Sequence, residues 1–272
     1  MSATAFAARY GPWAIVTGAS EGIGRAFAEQ LAGKGVNLVL VARRGALLEA
    51  LGAELQGRHG IACRVIEADL SKPGAAQRVA DATMGLDVGL AVAAAGFGTS
   101  GPLIDSTLGS ETDMVAVNCS AVLELSWHVA RRLAARGRGG LVLLSSVVAF
   151  QGVPRAANYA ATKAYVQALA EGLRAELGPL GVDVVACAPG PVRSGFESRA
   201  DMRMAQSLPP AIVATQTLHA LGRRGTVRPG WLSKLLGWSL ATAPRPLRVR
   251  IMAKVMGGMT AHQRTPSAPA QS

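Results

Sequence analysis

Cysteine is scarce in this chain of 272 residues, which contains three: Cys63, Cys119 and Cys187. An odd number at irregular spacing excludes a disulfide framework and favours reduced thiols in a cytoplasmic protein. Histidine is nearly as rare, and none of the four has the spacing of metal ligands, so we predict no metal site. The histidines are His59, His128, His219 and His262.

Long apolar runs are also missing. No stretch reaches the roughly 18 residues that a membrane-spanning helix requires, and the residues before Trp13 lack the pattern of a signal peptide. Aromatic residues make up 4% of the chain, whereas alanine, glycine, valine and leucine are abundant. This composition is typical of closely packed strands and helices, and the length suits one large domain.

Acidic residues are absent from positions 202–272, which carry ten basic ones. These ten account for nearly all of the net charge of +11. A basic segment suits an anionic partner such as an acidic carrier protein, a phosphorylated substrate or a membrane surface, with nucleic acid the least expected; a solvated surface is an equal alternative. The ten are Arg203, Arg223, Arg224, Arg228, Lys234, Arg245, Arg248, Arg250, Lys254 and Arg264.

Apolar runs alternate with helical patterns from Trp13 onward. Near-continuous apolar runs indicate strands that are buried on both faces. We therefore predict an α/β fold for residues 1–230, a doubly wound parallel sheet flanked by helices on both faces. We expect residues 231–262 to form a basic helical extension packed on this domain or on a partner, and residues 263–272 to form a disordered tail. The predicted strands are 13–18, 36–42, 61–69, 87–96, 140–146 and 182–190.

A glycine-rich loop, TGASEGIG, follows the first predicted strand. Gly18, Gly22 and Gly24 would allow a tight turn, a close approach to a pyrophosphate and close packing of the next helix. The N-terminus of that helix would supply free N–H groups for the phosphates. The loop alone does not exclude an ordinary turn between a strand and a helix.

Two arginines, Arg43 and Arg44, end the second predicted strand. An acidic residue in this region would bind the ribose hydroxyls of NAD, whereas arginine accommodates the additional phosphate of NADP, so we predict NADP(H) in preference to NAD(H). A solvated loop is the alternative. Asp69 ends the third predicted strand, where it can bind the edge of an adenine ring or, equally, cap a helix.

Tyr159 and Lys163 lie four residues apart in the stretch NYAATKAY. On a helix they share one face. An ammonium group beside a phenol favours the phenolate and lowers its pKa, which suits proton transfer. The same spacing also arises by chance in many chains.

Taken in order, these motifs resemble the single-domain short-chain dehydrogenase/reductase family, from about Trp13 to Phe196. TGASEGIG is similar to the glycine loop of the family and NYAATK to its Tyr-x-x-x-Lys signature. Ser146 lies thirteen residues before Tyr159, the position of the family's catalytic serine. Asn118 matches the asparagine of its proton relay, and PGPVRS resembles the loop that closes over the nicotinamide.

The resemblance implies hydride transfer between a nicotinamide and a carbonyl or alcohol carbon. Tyr159 would act as general acid or base. Lys163 would lower the pKa of Tyr159 and bind the nicotinamide ribose. Ser146 would stabilise the substrate oxygen, and Asn118 would hold a water that links Lys163 to solvent. Ser145 competes with Ser146, but adjacent side chains on a strand point to opposite sides, and we favour Ser146.

The resemblance also implies a Rossmann-like cofactor site, with two departures. Ala93 and Ala94 replace the asparagines of the usual Asn-Asn-Ala-Gly, which removes side-chain hydrogen bonds. The short last strand and Asp-Gly-Gly turn of many tetrameric members are absent, so homodimer and homotetramer both stay open. The predicted cofactor-binding residues are Gly18, Ser20, Glu21, Gly22, Ile23, Gly24, Arg43, Arg44, Asp69, Leu70, Ala94, Gly96, Asn118, Tyr159, Lys163, Pro189, Gly190, Val192 and Ser194.

Residues 196–210 correspond to the variable substrate lid of the family. Met202, Met204 and Leu208 suit an adaptable apolar pocket, or ordinary packing of a loop. We therefore expect reduction of a hydrophobic ketone or aldehyde; the alternatives are a 3-oxoacyl thioester reductase and an NADP-binding regulatory module. Trp231 and Trp238 would share one helix face, which suits packing on a partner or a membrane interface.

Overall fold

The computed structural model describes residues 2–203, 207–231, 233–234 and 242–263. Within them, seven strands form one parallel sheet in the order β3-β2-β1-β4-β5-β6-β7. The predicted doubly wound parallel sheet is confirmed. The strands are β1 (Trp13–Thr17), β2 (Asn37–Ala42), β3 (Cys63–Glu67), β4 (Val88–Ala93), β5 (Gly139–Leu144), β6 (Val182–Cys187) and β7 (Thr226–Val227).

Helices connect the strands and cover the sheet. A π-helical turn, Ala116–Ser120, joins α5 to α6, and short 3-10 turns lie at Leu103–Asp105, Val147–Phe150, Gly178–Leu180 and Ala261–Gln263. The α-helices are α1 (Ala3–Tyr10), α2 (Gly22–Ala32), α3 (Gly45–His59), α4 (Ala75–Ala82), α5 (Leu108–Val115), α6 (Ala121–Arg136), α7 (Ala157–Leu177), α8 (Phe196–Arg199), α9 (Pro210–Ala220) and α10 (Arg245–Met259).

Alternate residues of each strand enter two different cores. Val16 and Leu40 pack with apolar side chains of α1, α2, α3 and α9. Ile15 and Val41 pack with those of α4, α6 and α7 on the opposite face. Every residue of β4 and of β5 is buried. Because helices cover both faces, the strands are apolar at nearly every position instead of at every second one.

Helices α1 and α9 and strand β7 are among the elements that were not predicted. Helix α1 precedes the first strand and buries Phe6 and Tyr10 in the core. Strand β7 follows Gly225 and pairs with β6 through Ala186 and Cys187. The fold therefore does have a short last strand, which two residues in a polar context did not reveal, although the turn after it is not Asp-Gly-Gly.

The basic C-terminal segment is described in part. Helix α10 forms the second half of the helical extension expected at 231–262, while most of the first half, with Trp238, lies outside the described residues. Gln263, the first residue of the predicted tail, donates a hydrogen bond to the Ser100 hydroxyl at 2.7 Å. The remainder of that tail, residues 264–272, also lies outside the described residues.

Candidate active site

A cavity of about 490 Å³ opens at the carboxyl ends of the strands. It lies between the loops that follow β1 and β4, the neighbours at which the strand order reverses. Doubly wound sheets bind their ligands at this position. Twelve of the predicted cofactor residues line the cavity: Gly18, Ser20, Glu21, Gly22, Gly24, Arg43, Arg44, Asp69, Leu70, Ala94, Gly96 and Ser194.

The glycine loop brings two strand ends into direct contact. Gly18 has φ of +67°, and a Cβ atom there would lie 2.9 Å from the backbone of Ala95. Helix α2 begins at Gly22, and the preceding residue, Glu21, gives it no side-chain cap. The first N–H groups of α2 therefore remain available at the cavity. A pyrophosphate group fits this arrangement, because the backbone can approach it closely and the helix N-terminus favours negative charge.

The two predicted phosphate-binding arginines differ in their surroundings. Arg44 pairs with Glu21 at 2.8 Å and donates to the Ser20 hydroxyl at 3.0 Å. Arg43 lines the same cavity, and its guanidinium makes no hydrogen bond with any residue that the structure describes. Arg43 is therefore the arginine whose donors are free for an additional phosphate.

Asp69 closes the turn that follows β3. It accepts hydrogen bonds from the Ser71 backbone N–H at 3.0 Å and from the Ser71 hydroxyl at 2.9 Å. Burial acts to raise the pKa of Asp69. The hydrogen bonds from Ser71 and the charges of Arg43 and Lys72 together lower it by more, so the pKa is lowered overall. Asp69 thus stabilises this turn and does not cap α4, which begins at Ala75.

The two serines after β5 point to different partners. Ser145 is buried and donates to the Lys163 carbonyl at 3.1 Å, which ties the strand to α7. The Ser146 hydroxyl accepts from the Val148 backbone N–H at 3.4 Å. The same hydroxyl donates to the Pro189 carbonyl at 3.4 Å, and it acts to lower the pKa of the Tyr159 phenol, so Ser146 is the serine on the reactive side.

Tyr159 lies in the first turn of α7, half-buried beside the ring of Phe196, with 5.2 Å between the ring centres. Burial raises the pKa of Tyr159 to about 12, and the hydrogen bond with Ser146 lowers it in part. The expected lowering of the Tyr159 pKa by Lys163 is not met by these residues alone, because burial is the larger effect.

Lys163 is buried one turn further along α7. Its ammonium donates to the Leu144 carbonyl at 2.8 Å and lies 5.8 Å from the centre of the Tyr159 ring. Burial lowers the pKa of Lys163 to about 8, against smaller upward effects of Cys119 and Cys187. Because this pKa of Lys163 is not far above neutral pH, the ammonium group can release and regain a proton there.

Asn118 lies in the π-helical turn between α5 and α6 and is completely buried. Its amide donates to the Phe97 carbonyl at 2.8 Å and to the Thr162 hydroxyl at 3.0 Å, and its oxygen accepts from the Phe97 N–H at 3.1 Å. Both the oxygen and the nitrogen of the Asn118 side chain are thus hydrogen-bonded to other protein groups. Any contact of Asn118 with the expected water would have to involve its backbone, and a π turn disturbs the regular hydrogen bonding of a helix backbone.

The alanines that replace the family's asparagines leave no gap in the hydrogen bonding at the end of β4. The Thr17 hydroxyl accepts from the Ala95 N–H at 3.0 Å and donates to the Val92 carbonyl at 3.4 Å. A threonine at the end of β1 therefore provides the side-chain bonds between the two loops. The sequence pattern did not reveal this, since the hydroxyl comes from a different strand.

Four predicted cofactor residues lie beside the cavity and do not line it. Pro189 accepts from the Val147 N–H at 3.0 Å, and the Gly190 N–H donates to the Ser233 hydroxyl at 2.9 Å. Val192 is buried and pairs with Leu208 in an isolated bridge. The fourth, Ile23, packs against the core. Pro189, Gly190 and Val192 fix the backbone of the loop after β6. In that loop, Ser194 is the predicted residue that lines the cavity.

Sequence reasoning missed Arg199, which lines the cavity from α8. Its guanidinium lies 4.0 Å from the centre of the Phe97 ring. Burial lowers the pKa of Arg199, and the nearby Arg43 lowers it further. Arg199 is a second cation on the wall of the cavity, and its position in a variable segment left no pattern by which to find it.

An apolar cluster adjoins Tyr159 on the side away from the glycine loop. It contains Met202 from the predicted lid and Met252 and Met256 from α10, with Tyr159 and Phe196 packed against them. Leu208, also predicted for the substrate pocket, packs against the main core instead. Met204 lies outside the described residues.

The described part of the chain lacks two kinds of feature. No group of three or more histidine, cysteine, aspartate or glutamate side chains is placed to hold a metal ion. No helix there combines the length and the hydropathy that crossing a membrane would require.

A cavity with a glycine cradle for pyrophosphate, beside a tyrosine, a serine and a lysine, defines an oxidoreductase that uses a nicotinamide cofactor. Residues 12–204 match the family model described as short chain dehydrogenase. The chain belongs to the short-chain dehydrogenase/reductase family.

Similar proteins include two classes of enzyme. The chain is 31% identical over 235 residues to a 7beta-hydroxysteroid dehydrogenase from Mediterraneibacter gnavus, covering 83% of this chain and 89% of that one. It is 38% identical over 179 residues to a very-long-chain 3-oxoacyl-CoA reductase from Podospora anserina, covering 64% of this chain and 53% of that one.

Solved structures agree with this membership. One that describes the stereoselectivity of a 7beta-hydroxysteroid dehydrogenase has a TM-score of 0.84 at 30% identity, covering 91% of this chain and 98% of that one. A short-chain dehydrogenase from Sphingobium yanoikuyae in complex with NADPH has a TM-score of 0.75 at 29% identity, covering 96% and 98% of the two chains.

Proposed function

We propose that this oxidoreductase uses NADP(H) to interconvert the carbonyl and alcohol forms of a bulky hydrophobic compound, with ketones or aldehydes as the substrates of reduction. One observation carries this proposal. Phe196 lines the cavity of glycines and cations, and its ring packs on Tyr159, which also contacts an apolar cluster that includes Met202 and Met252. A hydrophobic carbonyl compound held at that cluster would present its oxygen to Tyr159.

The bound nicotinamide supplies the hydride or accepts it. The chain's own residues handle the oxygen and its proton. Tyr159 donates its phenolic proton to the oxygen in reduction and removes it in oxidation. The Ser146 hydroxyl, which acts to lower the pKa of Tyr159, stabilises the charge that develops on that oxygen. Lys163, with its lowered pKa, can return a proton to Tyr159.

The preference for NADP(H) rests on Arg43. Its guanidinium faces the cavity without a hydrogen-bond partner in the described structure, while no acidic residue ends β2. Arg44 is held by Glu21, so we assign it the smaller share of the phosphate contact. The similarity to a short-chain dehydrogenase in complex with NADPH supports the same preference.

A 3-oxoacyl thioester reductase is the second candidate. The similarity to very-long-chain 3-oxoacyl-CoA reductases supports it, as does the excess of basic residues after Met202, which would attract a phosphorylated or acidic carrier. The first candidate is favoured because, at comparable identity, the match covers more of the relative's own length, 89% for a hydroxysteroid dehydrogenase against 74% for a 3-oxoacyl-CoA reductase.

Self-association through α6 and α7 is part of the proposal. Leu123 and Trp127 lie one turn apart on α6 and are 44% and 54% exposed, and Tyr165 on α7 is 39% exposed. An exposed apolar group of this kind is typical of an interface between copies. Sedimentation velocity of the native protein and of Trp127→Glu would test it, with a loss of mass expected for the variant.

The experiment that tests the function measures NADPH and NADH consumption with a panel of carbonyl compounds. The panel contains steroid and alicyclic ketones, aldehydes, quinones and 3-oxoacyl thioesters, and Tyr159→Phe is measured in parallel. Turnover of bulky ketones that disappears in the variant supports the proposal, and a preference for thioesters selects the second candidate. Tight binding of NADPH without turnover of any class would indicate a regulatory module.

A further inference from the structure

Helix α10 exposes a row of aliphatic side chains. Leu247, Ile251 and Val255 are 47%, 38% and 43% exposed. Their spacing of four residues places them along one line on the helix surface. The three side chains therefore form a continuous apolar strip on the outside of the protein.

The opposite face of α10 is committed to the interior. Met252 and Met256 are buried in the apolar cluster beside Tyr159 and Phe196. The helix therefore cannot turn its aliphatic row inward without removing this wall of the active site. Its outer face is available for another surface.

Cations flank the row, and the segment of the chain that carries them contains no carboxylate. Arg250 and Lys254 are exposed next to Ile251 on the same face of α10. Positions 202–272 contain no acidic residue that could neutralise them. The outer face of α10 is thus aliphatic along its centre and positively charged along its edge.

A second exposed apolar group lies near the end of α10. Leu103, Ile104 and Leu108 are 59%, 92% and 79% exposed. Their loop is attached to the turn after α10, where Gln263 donates to the Ser100 hydroxyl at 2.7 Å. The aliphatic row and this loop therefore lie on either side of one hydrogen-bonded junction at the rim of the active site.

We propose that the outer face of α10, together with the loop at 103–108, docks on an anionic phospholipid surface. An aliphatic strip edged by cations suits the boundary between acyl chains and anionic headgroups. An acidic protein would use the cations but leave the three aliphatic side chains without a partner. Docking would place the apolar cluster next to lipid, from which a hydrophobic substrate enters directly.

The test is sedimentation of the purified full chain with phospholipid vesicles, made either of phosphatidylcholine alone or of phosphatidylcholine with phosphatidylserine. Two variants remove the two parts of the face: Leu247→Ser with Ile251→Ser, and Arg250→Glu with Lys254→Glu. The matched control is Arg223→Glu with Arg224→Glu. The control has the same net charge as the second variant. Arg223 and Arg224 are exposed and lie near the start of β6, at the other end of the sheet.

We expect the native protein to sediment with vesicles that contain phosphatidylserine and much less with phosphatidylcholine alone. Either variant of the face should bind about tenfold more weakly, because each cation near an anionic surface and each buried aliphatic group contributes to binding. The control should bind to the vesicles as tightly as the native protein does. Added salt should release the native protein from the vesicles, because it screens the attraction between charges. Thermal unfolding verifies that each variant is folded.

The proposal is overturned if the native protein sediments with neither vesicle, or if the control loses as much binding as the α10 variants. It is also overturned if substitutions on α10 change only the oligomeric mass, which would assign this face to a second copy of the chain. Hydrogen–deuterium exchange of the native protein needs no substitution. Vesicles should slow exchange in residues 245–263 and 100–108, and uniform exchange with and without vesicles would refute docking.

Discussion

One tyrosine lies at each end of the sheet. Burial raises the pKa of both tyrosines, but the groups beside them differ. At the amino ends of the strands, Tyr10 is buried and its hydroxyl donates to Asp183 at 2.8 Å, with Arg9 on the same carboxylate at 2.6 Å. At the carboxyl ends, Tyr159 hydrogen-bonds a neutral hydroxyl, that of Ser146.

Burial alone therefore does not make a tyrosine reactive. The carboxylate of Asp183 raises the pKa of Tyr10 beyond the effect of burial, because a negative neighbour disfavours the phenolate. The Ser146 hydroxyl acts in the opposite direction on Tyr159. Tyr10 is fixed as a structural donor, whereas Tyr159 has no carboxylate partner and lies beside Phe196, which lines the cavity.

The largest expected effect separates the two tyrosines by activity. Tyr159→Phe should lower kcat about a thousandfold, the typical contribution of a general acid, while NADPH binding persists. Tyr10→Phe should leave kcat nearly unchanged. Steady-state kinetics on the best substrate of the panel would measure both, and equal losses in the two variants would remove the distinction.

The next effect concerns the buried cation beside Tyr159. A pKa of about 8 for Lys163, against 10.5 ordinarily, means that holding the proton in the folded state costs about 3 kcal/mol. Below pH 8, Lys163→Met should therefore be the more stable protein. Between pH 8 and 10.5 the unfolded native chain binds the additional proton, so the free energy of unfolding of the native protein rises relative to the variant.

Urea unfolding of both proteins at several pH values would measure this difference. Contributions of Cys63 and of Tyr10 are common to both proteins and cancel, whereas those of Cys119 and Cys187, which interact with Lys163, cancel only in part. The gap between the two should close as the pH rises through 8. Parallel curves would mean that Lys163 has an ordinary pKa in the folded state.

A third effect reverses the order of the tyrosines. Tyr10→Phe should lower the free energy of unfolding by about 2 kcal/mol, because it removes a hydrogen bond to a charged carboxylate from the protein interior. Tyr159→Phe should cost less, since its partner is a neutral hydroxyl that can rotate to another acceptor. Urea denaturation would show this, and a larger loss in Tyr159→Phe would contradict it.

The smallest expected effect compares an arginine at each end. Arg9 is bound to Asp183, whereas Arg43 has no hydrogen-bond partner among the described residues. Arg43→Ala should raise KM for NADPH about tenfold, the loss of one charge-assisted phosphate contact, and affect NADH less. Arg9→Ala should leave both KM values unchanged. An equal rise for the two cofactors in Arg43→Ala would argue against a contact with the NADP phosphate.

Much of the fold could be predicted because the strands are apolar throughout. Six strands, their parallel pairing and the glycine loop at Gly18 follow from runs and spacings along the chain. Strand β7 was not predicted because two residues are too few to show a periodic pattern. Helix α1 escaped because only its contacts with the core, through Phe6 and Tyr10, distinguish it from a mobile terminus.

The candidate site was predictable where it depends on motifs. Ser146, Tyr159 and Lys163 meet in space as their spacing suggested. What the sequence could not provide was the balance of burial and charge that sets each pKa, or partners from distant elements. Thr17, which bonds the end of β4 from the end of β1, and Arg199 on the cavity wall are of this second kind.

The π turn at Ala116–Ser120 contains one residue more than a regular helix needs. Loss of a single residue there, such as Cys119, would restore continuous α-helical bonding between α5 and α6. Because the wide turn already absorbs the rotation of the additional residue, the halves on either side would keep nearly the same faces toward the core. The deletion would instead remove the wide turn from which the Asn118 amide reaches Phe97 and Thr162. The helix itself would become more regular, while the site would lose the local geometry that this turn provides.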